Sequence, residues 1–381
     1  MRTWALPEHI EDVLPRDAAK LERMRRAVLD GFAAHGYQLV TPPLLEYVDS
    51  LLTGTGHDMD LATFKLVDQL SGRTMGIRAD TTPQVARIDA HVLNRQGIAR
   101  LCYAGSVLHT LPAGLGKSRH PFQAGAEMYG CAGLDADIEI QQLMIDALTR
   151  LGVQAAQLDI GHPAIYRVLI EQSGLAGDAA DEVFAAIEAK DSPAVASLAG
   201  SGSALAALAG LYGGAEVLAR ARELLPADAR IAESLSQLQR IHDHFSAQGI
   251  VVSIDLAELG GFNYESGIVF SAFAAGAADA VARGGRYDEI GKAFGRARPA
   301  TGFSMDLKSL LPLVLDVPTR GAILAPREPD AAARAEMARL RAAGEVVIGR
   351  LAGDDAHLDE LGCDRDMIFT GGRWTLAPLK Q

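Results

Sequence analysis

Hydrophobic and polar positions alternate most clearly across residues 101–127, LCYAGSVLHTLPAGLGKSRHPFQAGAE. Leu101, Tyr103 and Val107 precede a centre rich in proline and glycine. After it, Phe122, Ala124 and Ala126 alternate with Gln123, Gly125 and Glu127, and the whole predicts a long β-hairpin. Side chains two apart on a strand share a face, so Gln123 and Glu127 project together and Gly125 leaves room between them for something small. The same pattern fits an edge hairpin whose polar residues face water.

The rest of the chain arranges itself around this hairpin. Asp17 is placed to cap a helix whose apolar positions Leu21, Met24, Val28 and Phe32 share one face and which Gly36 stops. A strand over 37–40 runs into Pro42 and Pro43, which cannot donate to a ladder, and LLEYVDSLL then packs as a short helical segment. Residues 64–78 predict a hairpin turning at Ser71 and Gly72, followed by a helix that Thr82 caps and Pro83 opens. Asp80 and Thr82 therefore sit where a strand gives way to a helix start. They fit either plain capping or contact with a polar ligand.

Residues 134–151 predict a helix ended by Gly152, and a strand near Leu158 follows. From about 163 to 248 the chain is rich in Ala, Leu and Glu and broken by SGL, GSGS, YGG and LPAD, which predicts an inserted subdomain of four or five short helices. Residues 268–273 are apolar enough for a central strand. Gly284 and Gly285 suit either close approach of a ligand to the backbone or a turn, and 302–313 predict a last helix. Beyond Pro318, GAILA, a helix over about 331–343, EVVIG and MIFTGG predict a small strand–helix–strand unit.

A chain of 381 residues has material for two or three domains, and 49% hydrophobic with 22% charged residues is ordinary for a globular protein. It has no apolar run long enough to span a membrane, and MRTWALPEHIEDVLPRD has neither an apolar core nor a cleavage site, so a cytoplasmic protein is expected. Cys102, Cys131 and Cys363 form no CxxC pair and the ten histidines show no ligand spacing, so neither a disulfide framework nor a metal is expected. A net charge of −12 argues against a broad nucleic-acid surface.

Taken in order, the segments resemble the class II aminoacyl-tRNA synthetase core, and within it the histidyl-tRNA synthetases, over residues 5–318. The helix, strand and prolines ending at Pro43 resemble motif 1, residues 101–127 motif 2, and GRARPATGFSMDLKSLL motif 3. IRADTTPQVAR, GGFNYESGIVF and ARGGRYDE resemble the three histidine-pocket segments. The resemblance implies an α/β (α+β) fold: an antiparallel sheet flanked by helices, forming a core over 1–318 with the helical insertion at 163–248, and a small α/β domain over 319–381.

The departures fall on the nucleotide contacts. The motif 2 arginine that holds the α-phosphate of ATP in the synthetases is His109 here, and the next two contact positions are Leu111 and Pro112. The motif 3 arginine for the γ-phosphate is Ser309, with Lys308 beside it expected to point elsewhere on the helix. Neither replacement supplies a guanidinium fork for phosphate. Carried over residue by residue, the histidine pocket comprises Asp80, where a glutamate is usual, with Thr82, Gln123, Glu127, Tyr264 and Tyr287, which match in type. Gly260 replaces an arginine and Glu265 a tyrosine, leaving Arg119 as a substitute for the carboxylate and His109 and Glu265 as further contacts. Glu127 is expected to pair with the ligand's ammonium.

A synthetase-like chain without the ATP contacts and with a reduced C-terminal domain resembles the regulatory subunits of ATP phosphoribosyltransferase. The resemblance implies a protein with no chemistry and no cofactor of its own. Such a subunit joins a short catalytic subunit in a hetero-oligomer at the first step of histidine biosynthesis, is required for activity, and confers feedback by L-histidine. A homodimer through the motif 1 region follows from apolar Leu44, Leu45, Val48, Leu51 and Leu52. A divergent histidyl-tRNA synthetase, which would need to grip tRNA, and a free-standing amino-acid sensor are the alternatives.

Overall fold

The computed structural model describes residues 4–53, 57–114, 117–260, 265–316, 321–352, 354 and 360–379. It divides into two compact units, Met1–Leu315 and Asp316–Gln381.

The first unit is built on a nine-stranded sheet. Its strands run in the order Gln38–Leu39, Ala99–Ser106, Phe122–Tyr129, Ala300–Asp306, Ala282–Arg286, Val269–Ala274, Ala155–Gly161, Val252–Asp255 and Tyr212–Gly213. Neighbours are antiparallel except at Gln38–Leu39 beside Ala99–Ser106 and at Ala155–Gly161 beside Val252–Asp255. The predicted hairpin, Ala99–Ser106 with Phe122–Tyr129, is flanked on both sides and is not an edge.

Period-two alternation gives the sheet two distinct faces. Cys102, Ala124, Ala126, Met128, Phe303 and Met305 belong to one apolar core with Met24, Val28 and Phe32 of the helix Pro15–Ala34 and Ile140, Met144 and Leu148 of the helix Leu134–Arg150. Phe32 meets Phe303 edge to face at 5.8 Å. Gly152, at φ +77°, ends the second helix as the sequence predicts. The opposite face carries Glu127 and its neighbours. It is closed by a second apolar cluster that joins Leu101, Tyr103, Tyr129 and Tyr287 to Val85, Ala86 and Ala90 on the helical stretch formed by Thr82–Arg87 and a π-helical turn, Ile88–Leu93.

Several local expectations are corrected. The first helix begins at Pro15 behind Leu14, so Asp17 sits in its first turn rather than at its cap. LLEYVDSLL splits into a strand, Leu45–Tyr47, and a one-turn helix, Val48–Leu51, because Leu45–Tyr47 pairs with Thr74–Ile77. Thr74–Ile77 also pairs with Phe64–Val67, as the 64–78 hairpin requires. The predicted helix over 302–313 is instead the strand Ala300–Asp306 with a four-residue helix, Leu307–Leu310. Pairing on both edges fixes that strand.

The inserted region holds the helices Ala164–Ser173, Asp178–Glu188, Ser192–Ala199, Ala204–Leu208, Glu216–Leu224 and Ala229–Ser246, more than the sequence pattern resolves. Asp191, Ser203 and Asp228 each accept a backbone N–H at a helix start. Buried Tyr166, Leu169, Val183, Leu218, Leu238 and Phe245 belong to the large apolar core.

In the second unit, Val347–Gly349, Ala322–Ala325 and Cys363–Thr370 are parallel neighbours and Arg373–Pro378 forms an antiparallel hairpin with the last of them. The helix Ala331–Ala342, capped by Asp330, buries Ala333, Met337 and Leu340 with Ile323, Val347 and Met367. No described helix of either unit is long and apolar enough to cross a membrane.

Candidate functional site

Strand register sets out the site in rows. Leu101, Glu127, Gly302, Gly285 and Val269 stand side by side across five strands, and Tyr103, Gly125, Ser304, Arg283 and Ser271 form the adjacent row on the same face. Glu127 is 1% exposed. One carboxyl oxygen accepts from the hydroxyls of Thr82 at 2.9 Å and Tyr103 at 3.1 Å, and the other from Tyr287. Burial pushes the Glu127 carboxyl up to about 8, outweighing these hydrogen bonds, which favour the charged form. A carboxyl raised in this way takes up a proton far more readily than an exposed one, and a neighbouring positive charge would favour its ionised form.

Which glycine makes the room differs from expectation. The volume beside Gly125 is filled by the Tyr103 hydroxyl and the Phe303 carbonyl, so no ligand fits there. The Glu127 carboxyl occupies the space that a Cβ on Gly302 would take, and such a Cβ would lie 2.7 Å from the Tyr287 hydroxyl. Gly284 and Gly285 are in a strand rather than a turn, and a Cβ on Gly285 would come within 2.6 Å of a Glu265 carboxyl oxygen.

Asp80 is held from two directions. Its Oδ1 accepts from Gln123 Nε2 at 2.6 Å and from the Thr82 backbone N–H at 3.2 Å, and Gln123 Oε1 accepts from the Thr81 N–H at 3.0 Å. Behind it, the buried Arg78 guanidinium donates to the carbonyls of Pro42 and Ser106 at 3.0 and 2.9 Å, tying the proline segment and the hairpin to the strand that delivers Asp80. Gly105 leaves the space for that guanidinium.

A cavity of about 430 Å³ opens over this face, and Asp80, Thr82, His109, Glu127, Glu265 and Tyr287 all line it. That volume suits a small molecule. Glu265 Oε2 is buried without a hydrogen-bond partner among the described residues, and burial, with the charge of Glu258 next, holds its carboxyl well above the usual range. His109 Nε2 donates to the Ala79 carbonyl at 2.9 Å, so the ring is fixed by the backbone. His109 and Gln123 also line an adjoining cavity of about 560 Å³. Both Lys308 and Ser309 line that second cavity, so Lys308 does not point away as expected. In a one-turn helix the two are near neighbours.

Arg119 is engaged elsewhere. Its Nε donates to the His109 carbonyl at 3.0 Å, its Nη1 to the Glu8 carbonyl at 3.4 Å, and it stacks over Phe64 at 5.2 Å, outside the lining of either cavity. It therefore fails as the substitute for a carboxylate-binding arginine. Tyr264 lies outside the described residues. Among the described residues no group of three His, Cys, Asp or Glu side chains is arranged to hold a metal ion.

Residues 9–310 match the family model for histidyl-tRNA synthetase, and residues 320–377 match the model for the C-terminal domain of ATP phosphoribosyltransferase subunit HisZ. The chain is 53% identical over 385 residues to the ATP phosphoribosyltransferase regulatory subunit of Ralstonia nicotianae, covering 100% of this chain and 99% of that one. It is 50% identical over 382 residues to the same-named protein of an Azoarcus species, covering 99% of each. The chain belongs to the family of ATP phosphoribosyltransferase regulatory subunits.

A solved structure of a family relative described as an ATP phosphoribosyltransferase regulatory subunit/histidyl-tRNA synthetase, from Bacillus halodurans, superposes with a TM-score of 0.83 at 26% identity, over 95% of this chain and 97% of that one. The histidyl-tRNA synthetase of a Nostoc species shares the fold, with a TM-score of 0.77 at 17% identity over 99% and 97% of the two chains.

Beside the family's signature positions, the cavity depends on residues that sequence reasoning left out: Tyr103, which braces Glu127, Gly302, which makes room for it, and Arg283, which stands on the wall. Period two along LCYAGS already places Tyr103 on the face opposite Cys102. What alternation cannot supply is the register that sets it beside Gly125.

Proposed function

We propose that this chain is the non-catalytic regulatory subunit of an ATP phosphoribosyltransferase at the first step of L-histidine biosynthesis. It joins a short catalytic subunit in the cytoplasm, is required for that subunit's activity, and makes the complex sensitive to feedback by histidine. The observation that carries this reading is the 53% identity over the full chain to a relative of that name. Ligand control requires a differential affinity between two states of the complex, and the cavity over Glu127 offers a place for such a ligand.

Histidine suits that cavity chemically. Asp80, Glu127 and Glu265 present carboxyl groups to its cationic nitrogens, Thr82 adds a hydroxyl, Gln123 fixes Asp80, and Tyr287 forms a wall with Tyr264 as its expected partner. His109 borders the site as a fixed ring rather than as a phosphate ligand. Synthetase chemistry is disfavoured because His109 and Ser309 stand where that reaction needs two guanidinium groups on the phosphates of ATP.

Co-expression with a short-form catalytic subunit tests the proposal. Co-purification of the two chains, with phosphoribosyl transfer to ATP restored by adding this chain, supports it. A catalytic subunit that is fully active alone and elutes separately contradicts it.

A further inference from the structure

Arg283 is an exposed cation on the face of the sheet that carries Glu127. Its register partners are Ser304 and Ser271, so it stands one row from the Glu127–Gly302–Gly285 row and two strands away from Glu127. Standard strand spacing puts the two Cα atoms roughly 10 Å apart across the sheet and about 7 Å along it, a gap for an amino-acid ligand and an arginine side chain to share. Arg283 lines the 430 Å³ cavity together with Asp80, Glu127 and Glu265, and it also lines the adjoining 560 Å³ cavity.

The other cations of this region are engaged. Lys117 Nζ is 2.9 Å from Asp279, Lys308 Nζ is 3.5 Å from His120 Nδ1, and Arg119 donates to backbone carbonyls. The Arg283 side chain makes no hydrogen bond or ion pair among the described residues; its charge acts on Asp279, which is itself paired with Lys117. Asp159, Asp255 and Glu258 share a small third cavity with it, of about 50 Å³, and Asp159 stands in its row two strands away, yet none of them pairs with it. Asp255 is itself paired with Lys190 at 2.7 Å. The result is a cavity whose lining combines the carboxyl groups of Asp80, Glu127 and Glu265 with one guanidinium that no described carboxylate pairs with. That polarity matches a zwitterion.

We propose that Arg283 receives the carboxylate of the amino acid whose cationic nitrogens meet Asp80, Glu127 and Glu265. A planar guanidinium takes a carboxylate through two parallel N–H···O bonds, which lysine cannot reproduce. The proposal rests on the histidine reading above and deepens it. It makes the missing carboxylate ligand a residue of the strand Ala282–Arg286 instead of Arg119.

Calorimetric titration of the full chain, alone and assembled with its catalytic subunit, tests the assignment with three probes: L-histidine, histamine, which keeps the ring and the amine but lacks the carboxylate, and inorganic phosphate. The expected result is that Arg283→Gln weakens histidine tenfold or more, leaves histamine unchanged, and leaves the thermal midpoint unchanged because the side chain is exposed. Arg283→Lys recovers part of the loss. Equal weakening of histidine and histamine, no weakening of histidine, or an Arg283-dependent site for phosphate alone overturns the assignment while leaving histidine binding intact. A wild-type chain that binds histidine neither alone nor in the complex overturns the histidine reading and this proposal with it.

Discussion

Glu127 and Gly302 are register partners in neighbouring antiparallel strands, and the carboxyl of the first fills the volume that a side chain on the second would need. A methyl group at 302 has nowhere to go, because the strand Ala300–Asp306 is paired on both edges. Gly302→Ala is therefore expected to drive the carboxyl off Thr82, Tyr103 and Tyr287, weakening histidine at least tenfold and costing about 1–3 kcal/mol of stability. Calorimetry and chemical denaturation check the two effects. A variant with wild-type affinity and midpoint would show that the packing around Glu127 is not what shapes the site.

The Glu127 carboxyl gives the empty chain a pH signature. A carboxyl held at about 8 against an ordinary 4.5 favours the fold in its neutral form. That contribution is complete below about 4.5 and is lost as pH rises through about 8. The unfolding free energy is expected to fall over this window in the wild type, by a few kcal/mol at most, and to be flatter in Glu127→Gln.

The same shift predicts proton release on binding. A cationic nitrogen beside Glu127 favours its ionised form, so histidine titrated at pH 7 releases a proton. The apparent enthalpy should then vary with the ionisation enthalpy of the buffer. Glu127→Gln removes that dependence and weakens histidine about tenfold or more, since a hydrogen bond to a charged group contributes about 1.5–3 kcal/mol.

Assembly through the motif 1 region is expected to use Leu44 and Leu45, which are 48% and 38% exposed, and not Leu51, which is buried inside its own chain. Sedimentation at micromolar concentration should show a dimer, and Leu44→Asp with Leu45→Asp should shift it toward monomer. A wild-type monomer would reject this surface.

Away from the cavity, Asp137 pairs with Arg286 at 2.8 Å, both side chains almost wholly buried. The guanidinium also donates to Asp288 at 3.1 Å and to the Cys131 carbonyl at 3.2 Å, which ties the helix Leu134–Arg150 to the strand that carries Gly284 and Gly285. Asp137→Ala leaves the buried cation with Asp288 as its remaining carboxylate and is expected to cost about 3 kcal/mol or somewhat less in denaturant unfolding.

What could be read from the sequence follows the strength of each periodicity. The hairpin was legible because alternation persists over both arms, and the helix Leu134–Arg150 because its apolar stripe ends at a glycine. Ala300–Asp306 was not, since ATGFSMDLKSLL is a short apolar run that suits either element until pairing on both edges decides. In the site, residue type picked out Asp80, Thr82, Glu127, Glu265 and Tyr287, which the fold brings to one cavity. Residue type also pointed to Gly125 and Arg119, whereas the space beside Gly125 is filled and it is Arg283 that lines the cavity. Those choices depend on which side chain the neighbouring strand presents, and that is a long-range property no local pattern contains.

In the proposed function the chain controls a partner through the pocket over Glu127 and carries out no chemistry of its own. The most direct measurement is phosphoribosyl transfer to ATP by the short catalytic subunit, with and without this chain, across a histidine titration. The account predicts activity that requires this chain, falls with added histidine, and loses that sensitivity when Glu127→Gln replaces the wild type while the uninhibited rate stays the same. Activity independent of this chain, or inhibition identical in wild type and Glu127→Gln, would contradict it.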